Sequence, residues 1–410
     1  MKKKATLCLC FILICAAAVF ADEKKAMPRI EMPTARSSGM GGSHVAYTDN
    51  VFALLVNPAA IMRVEQRSIF ALSPTLLNPQ KTFKLLGPFQ DAASGEVSKL
   101  GSAMDALSGG KVPLGFDIRE LPLAIAWVSD GFGFGLWSRV FVNPNIIGTY
   151  VEINAYADVF LPVGFAFKIL DMDSHTVDVG VTVKPFLRVK TTNAAVDIME
   201  LMDNDYDFLE DITAPLIGGM GFDLGFMYRW DAGLSAGITF SDIYTRGRVL
   251  QNILGTDTNS YYVPFSLNLG AAYDFKIGQF WENAPSFLAG TGITAAVDWK
   301  DFTNVFRQTD YLNQRNAWLN LGIGLQITML DMIMVRAGMN DMLPAVGVGL
   351  DFGPMELDLA YYGKELGLEP GQLPAAAVDL TLAIRPGAKK RNWPWAQRSV
   401  AGLIAKSDNL

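Results

Sequence analysis

"MGFDLGFMYRW", residues 220–230, is written in two interleaved registers. Met220, Phe222, Leu224, Phe226, Tyr228 and Trp230 alternate with Gly221, Asp223, Gly225, Met227 and Arg229. Successive side chains of a strand point to opposite faces, so this period of two predicts a strand with one large apolar face and one small or polar face. "NAWLNLGIGLQITM", residues 316–329, repeats the pattern. There Leu319, Leu321, Ile323, Leu325, Ile327 and Met329 stand opposite Asn320, Gly322, Gly324, Gln326 and Thr328. The same writing recurs in "GLSAGITF" (233–240), "PFSLNLGAAYDF" (264–275), "AVGVGLDF" (345–352) and "MELDLAYY" (355–362).

A soluble sandwich also alternates, but its strands average about five or six residues and its second face meets water as charged and Thr-rich surface. Here the strands are longer, and the second face is glycine, asparagine and serine with scattered Asp274, Asp351, Asp358 and Arg229. Such a face fits a lumen. Tilted strands of about nine to eleven residues cross a hydrocarbon core, and only closure satisfies every backbone group there. The sequence therefore predicts an all-β fold: a transmembrane antiparallel β-barrel of about fourteen strands over residues 67–386. Closure removes sheet edges, so a monomer surrounded by outer-membrane lipid is expected.

Composition agrees. Half of the residues are hydrophobic, 18% are charged, and there are 38 glycines and 25 phenylalanines. After the first residues no run of 18 apolar residues occurs, which excludes a helical membrane bundle. A formal net charge of -7 argues against a nucleic-acid partner. Trp127, Trp137, Trp230, Trp299 and Trp318, with Tyr261, Tyr262, Tyr361 and Tyr362, fall near strand ends and suit interfacial aromatic girdles. Two insertions break the rhythm and are expected as loop helices: residues 89–108, where Val97, Leu100, Met104 and Leu107 fall at helical spacing, and residues 194–212.

Residues 1–21, "MKKKATLCLCFILICAAAVFA", read as a signal peptide with Val19 and Ala21 at the small positions of its cleavage site. All three cysteines, Cys8, Cys10 and Cys15, lie inside it. The exported chain is then cysteine-free, with no disulfide and no thiolate site. At the other end, residues 387–410 begin with a basic cluster and are expected as a periplasmic tail.

Motifs for chemistry are weak. Asp203, Asp205 and Asp207 have calcium-loop spacing, but Phe208 replaces the turn glycine and Ala214 the bidentate glutamate. The two histidines, His44 and His175, are too isolated for a metal centre or a triad. No catalytic residue, metal or cofactor is expected. Pro162 and Pro185 each interrupt a good strand; each ends it or marks a kink that opens the barrel wall.

The remaining segment, "ARSSGMGGSHVAYTDNVFALLVNPAA" (35–60), does not alternate. It resembles the N-terminal segment of the FadL/TodX superfamily of outer-membrane transporters for long-chain fatty acids and other hydrophobic compounds, PorV-like relatives included. Gly39, Met40, Gly41 and Gly42 match its turn, Val45 and Ala46 its short pair, and Asn57, Pro58 and Ala59 its most specific motif. The resemblance implies that residues 22–66 form a hatch inside the barrel. It implies a channel for passive uptake of long-chain fatty acids or similar hydrophobic small molecules. Two other readings remain open: a PorV-like barrel that binds or shuttles exported proteins, and a nonselective porin. The aromatic that ends the last strand in the family is replaced here by the "GAKKRNWPW" continuation (387–395).

Overall fold

The computed structural model describes residues 24–64, 68–80, 83–84, 112–113, 115–147, 150–191, 195–197, 213–279, 291–306 and 315–386. The alternating segments are strands: β1 (Ser68–Leu77), β2 (Gly115–Ser129), β3 (Phe132–Ile147), β4 (Tyr150–Phe160, carried on by Val163–Met172) and β5 (His175–Lys190). They continue with β6 (Ala214–Trp230), β7 (Leu234–Ser241, carried on by Thr245–Leu254), β8 (Ser260–Val263, carried on by Ser266–Lys276) and β9 (Gly292–Trp299). The last are β10 (Leu321–Met329), β11 (Ile333–Asn340), β12 (Leu343–Asp351), β13 (Met355–Glu365) and β14 (Pro374–Ile384).

Each strand pairs antiparallel with the next, and β14 returns to β1 through Phe70 opposite Ile384 and Leu77 opposite Ala377. Among the described residues the sheet is thus a closed barrel of fourteen staves. Tight turns join many of them. Asp130 and Gly131, between β2 and β3, both have positive φ (50° and 81°), the geometry of a two-residue hairpin turn. The upper rim is the one at which odd-numbered staves end.

The two faces separate as the alternation requires. Ile323, Leu325, Val346, Val348, Leu359 and Tyr361 point outward and are exposed, whereas Gln326, Arg336 and Asp358 are buried inside. Inward charges are paired: Arg336 donates to Asp358 (2.5 Å) and Gln326 (2.8 Å), and Arg188 donates to Asp158 through two nitrogens (2.5 and 2.9 Å). A buried charge survives only with such partners. No helix among the described residues is long and apolar enough to cross a membrane.

Several local expectations need correction. Trp137 and Tyr261 do not join an outer girdle: both point inward and are fully buried, while Trp127, Trp230, Trp318 and Tyr361 are exposed. Residues 195–197, within a segment expected as helix, form a short strand paired with residues 150–152. Residues 1–21, 89–108, 198–212 and 387–410, with Asp203, Asp205 and Asp207, lie outside the described residues.

One further strand lies at the upper rim. Lys24–Ala26 runs parallel to Ser260–Val263 of β8, with Lys24 opposite Ser260 and Ala26 opposite Tyr262.

Candidate functional site

Residues 35–63 lie against the inward face of the barrel. They begin with α1 (Ala35–Gly39), capped by Thr34, whose Oγ1 accepts from the Ser37 nitrogen (3.2 Å) while Ser37 Oγ accepts from the Thr34 nitrogen (3.0 Å). Gly41 (φ 67°) and Gly42 (φ 76°) then turn the chain through left-handed backbone that favours glycine. After α2 (Ala53–Val56) the segment ends in a 3₁₀ turn, Pro58–Arg63.

Its seat is made of inward-facing glycines. A methyl group at Gly180 of β5 would stand 2.6 Å from the Ala59 nitrogen, and one at Gly225 of β6 would stand 2.9 Å from Pro58. Gly237 and Gly270 lie against Val45, Gly324 and Gly338 against Met40, and Gly347 against Gly39. The small second face of the strands is therefore where the segment touches the wall. Its apolar side packs too: Phe52 lies 6.3 Å from Trp137, which stacks on Phe160 at 6.1 Å.

Asn57 is wholly buried and sits at the junction of plug and wall. Its Nδ2 donates to the carbonyls of Val45 (3.1 Å) and Phe226 (3.2 Å), and its Oδ1 accepts from the Ala59 nitrogen (3.1 Å). Pro58 follows at the first position of the 3₁₀ turn, where a missing N–H costs nothing.

Polar anchors complete the seat. Asp298 of β9 accepts from the nitrogens of His44 (2.6 Å) and Val45 (2.8 Å). Ala35 donates to Thr381 (2.9 Å) and Ser38 to Asp379 (2.5 Å), both on β14. Within the plug, Arg36 binds Asp49 through two nitrogens (2.7 and 3.2 Å) and lies over the Tyr47 ring at 5.2 Å. Burial would raise the Asp49 carboxyl, but Arg36 overrides it and holds that group below the usual carboxylate range. Burial, with Lys300 nearby, pushes His44 down to about 3, so it is neutral near pH 7. Arg36, His44 and Tyr47, with Thr34, Thr48 and Phe52, line a cleft of about 30 Å³.

Nearer the upper rim, residues 27–31 cross the bore. Arg29 donates to Asp242 (2.8 Å) and to the Pro264 carbonyl (2.9 Å). Arg188 donates to the Pro28 carbonyl (2.6 Å), and Arg139 to the Glu31 carbonyl (3.1 Å).

The two prolines singled out in the wall are neighbours. Leu161 donates to the Pro185 carbonyl (2.9 Å) and Gly135 to the Pro162 carbonyl (3.1 Å), and neither proline can return the bond. Register nevertheless runs unbroken past them, with Trp137 opposite Phe160 and Phe134 opposite Val163. The larger irregularity lies in β2. Arg119 pairs with Arg139 and Ala124 with Trp137, so a longer stretch of β2, containing Pro122, bulges against a shorter one of β3. His175 stands at the lower rim with Nδ1 2.8 Å from the Tyr228 hydroxyl. Among the described residues no three His, Cys, Asp or Glu side chains are grouped to hold a metal ion.

Only part of this site is legible in the sequence. Gly39, Met40, Gly41, Gly42, Asn57, Pro58 and Ala59 come together as one seated segment, whereas Pro162 and Pro185 lie in the wall. Missed were Asp298 and Asp379, carboxylates on the inward face of β9 and β14, and the strand Lys24–Ala26, too short for any period to reveal.

No protein-family model and no curated protein matches the sequence. Solved structures do match. The CymD monoaromatic hydrocarbon channel is 12% identical with a TM-score of 0.48, over 85% of this chain and 95% of that one. The Pseudomonas putida toluene transporter TodX gives 11% and 0.49, over 88% and 98%. The Ralstonia pickettii toluene transporter TbuX gives 12% and 0.45, over 88% and 98%.

Proposed function

We propose that the protein is an outer-membrane channel for the passive uptake of hydrophobic small molecules, gated by its N-terminal segment. The observation that carries this reading is the seating of residues 35–63 on glycines of the inward face, which plugs a closed barrel. The cleft of about 30 Å³ between Arg36, His44 and Tyr47 is far smaller than the roughly 150 Å³ that a benzene-sized guest needs. In this reading passage requires residues 35–63 to move off their glycine seat. A nonselective porin would keep its bore open, which the seated plug argues against. The charged inner face suits an amphipathic ligand such as a long-chain fatty acid, which enters at the upper rim. It leaves downward past the plug or sideways through the wall, where the β2 bulge and Pro162 and Pro185 weaken the ladder.

The test is uptake in a host lacking its own hydrophobic-compound channels. Fatty acid and toluene uptake should both be measured, with Asn57→Ala/Pro58→Ala compared with wild type. Uptake by the wild-type chain, altered in the double variant while the barrel stays heat-modifiable on gels, is expected. A wild-type chain that carries neither compound would sink the reading.

A further inference from the structure

The wall is not made of staves alone. β8 starts at Ser260, but its neighbour β9 ends at Trp299, opposite Leu269. Ser260–Val263 thus rises above the end of β9. On one side it pairs with β7, Thr245 opposite Val263 and Arg248 opposite Ser260. On the other, the described residue pairs are those of Lys24–Ala26, and the Met27 nitrogen adds a bond to the Tyr262 carbonyl (2.9 Å). Pro264 ends this upper part of β8, and its carbonyl accepts from Arg29.

An uncovered strand edge presents a row of N–H and C=O groups that will pair with any extended chain. We propose that Ser260–Val263 is a strand-binding site in the wall, whose ligand is an extended peptide segment supplied in cis by Lys24–Ala26. Emptying the site and displacing the plug are then one motion, because the occupant and the plug are the same chain. This coupling rests on the gating role proposed above; the binding site itself does not.

The chemistry of the occupant fits. Main-chain pairing needs no particular side chains, only unbranched access and free donors, and residues 24–27 contain no proline. Met27 is buried beside Tyr261 and Val263, so the strand also closes an apolar seam. Pro28 then ends the ladder, and Arg29, held by Asp242, fixes where the strand can lie. Downstream, the grip of Arg188 and Arg139 on the Pro28 and Glu31 carbonyls links this strand to the plug with little slack.

Because the cysteines all lie in residues 1–21, single cysteines report cleanly in the exported chain. Val263→Cys reports the wall site and Ser43→Cys the plug; both positions are buried, at 4% and 0% exposure. Maleimide labelling is measured on the exported barrel, residues 22–410, in detergent and in liposomes. Lys25→Pro, which removes a ladder donor without shortening the chain, should speed labelling of Val263→Cys several-fold. An unchanged rate overturns the binding site, whatever the protein carries. Asn57→Ala, or Gly180→Leu where Asn57→Ala leaves the plug seated, should speed labelling at both cysteines together. Faster labelling of Ser43→Cys with Val263→Cys at its wild-type rate overturns the coupling. Neither readout involves uptake, so a failed transport assay and a failed inference stay distinct.

Discussion

The Asn57 side-chain amide donates to the Phe226 carbonyl at 3.2 Å, joining the plug to β6. The same nitrogen holds Val45, so one residue ties two turns of the plug and one stave of the wall. Asn57→Ala leaves the Val45 and Phe226 carbonyls and the Ala59 N–H with lost partners, each at a cost of about 1–3 kcal/mol where burial persists. The plug should loosen while the barrel keeps its pairing. Proteolysis of the plug should quicken, with heat-modifiability unchanged; equal proteolysis would show that Asn57 is not a tie.

The glycine seat makes a steric prediction. At Gly180 a side chain meets the Pro58–Ala59 backbone, which cannot yield as a flexible side chain can. Gly180→Leu should unseat the plug and raise ion conductance in planar bilayers. Gly292 offers the control, since a methyl there meets only Thr328 Cβ at 3.9 Å. Gly292→Ala should match wild type.

Acid should weaken the seat through His44. A free histidine titrates near 6.5, whereas the seated one is held down to about 3. Between those values the unseated chain binds a proton that the seated chain does not. The share of seat stability that rests on His44 is therefore full above about pH 6.5 and falls as the pH drops, by about 2 kcal/mol at pH 5. Asp49 acts in the same direction: its lowered value stabilises the seat above the ordinary carboxylate range, and that share is lost in stronger acid. Hydrogen exchange of the plug, corrected for intrinsic rate, should rise from pH 7 to pH 5 in wild type and much less in His44→Gln.

Trp137 should matter to the plug more than to the wall. It is wholly buried between Phe52 and Phe160, so Trp137→Ala removes packing worth about 3–5 kcal/mol. Denaturant titration should show an early loss of the plug, followed by barrel unfolding near the wild-type midpoint. One unshifted transition would mean that Trp137 contributes nothing to seating.

The alternation of Met220–Trp230 was enough to read strand and face together, because a period of two is a local signal. Glycines on the second face were legible as small, but not as a seat. That role joins Gly180 to Ala59 and Gly338 to Met40 across long stretches of chain, and no window of sequence holds both partners. The girdle reading failed at Trp137 and Tyr261 for a related reason: position near a strand end does not tell which way a ring points. At Pro162 and Pro185, chemistry identified the lost donors: the strand is interrupted at Leu161 and Pro162 while register holds across the gap, and a further bulge in β2 spans Pro122.

The pairing of Phe70 with Ile384 has a consequence for folding order. The ring closes only when its most sequence-distant staves meet, and contacts of such separation form slowly. Residues 35–63 touch staves from β5 to β14, so they are enclosed by that same closure. A bore lined with glycines offers little side-chain surface of its own to collapse upon. Residues 35–63 supply such surface from within, so seating them and closing the ring bury one shared apolar cluster.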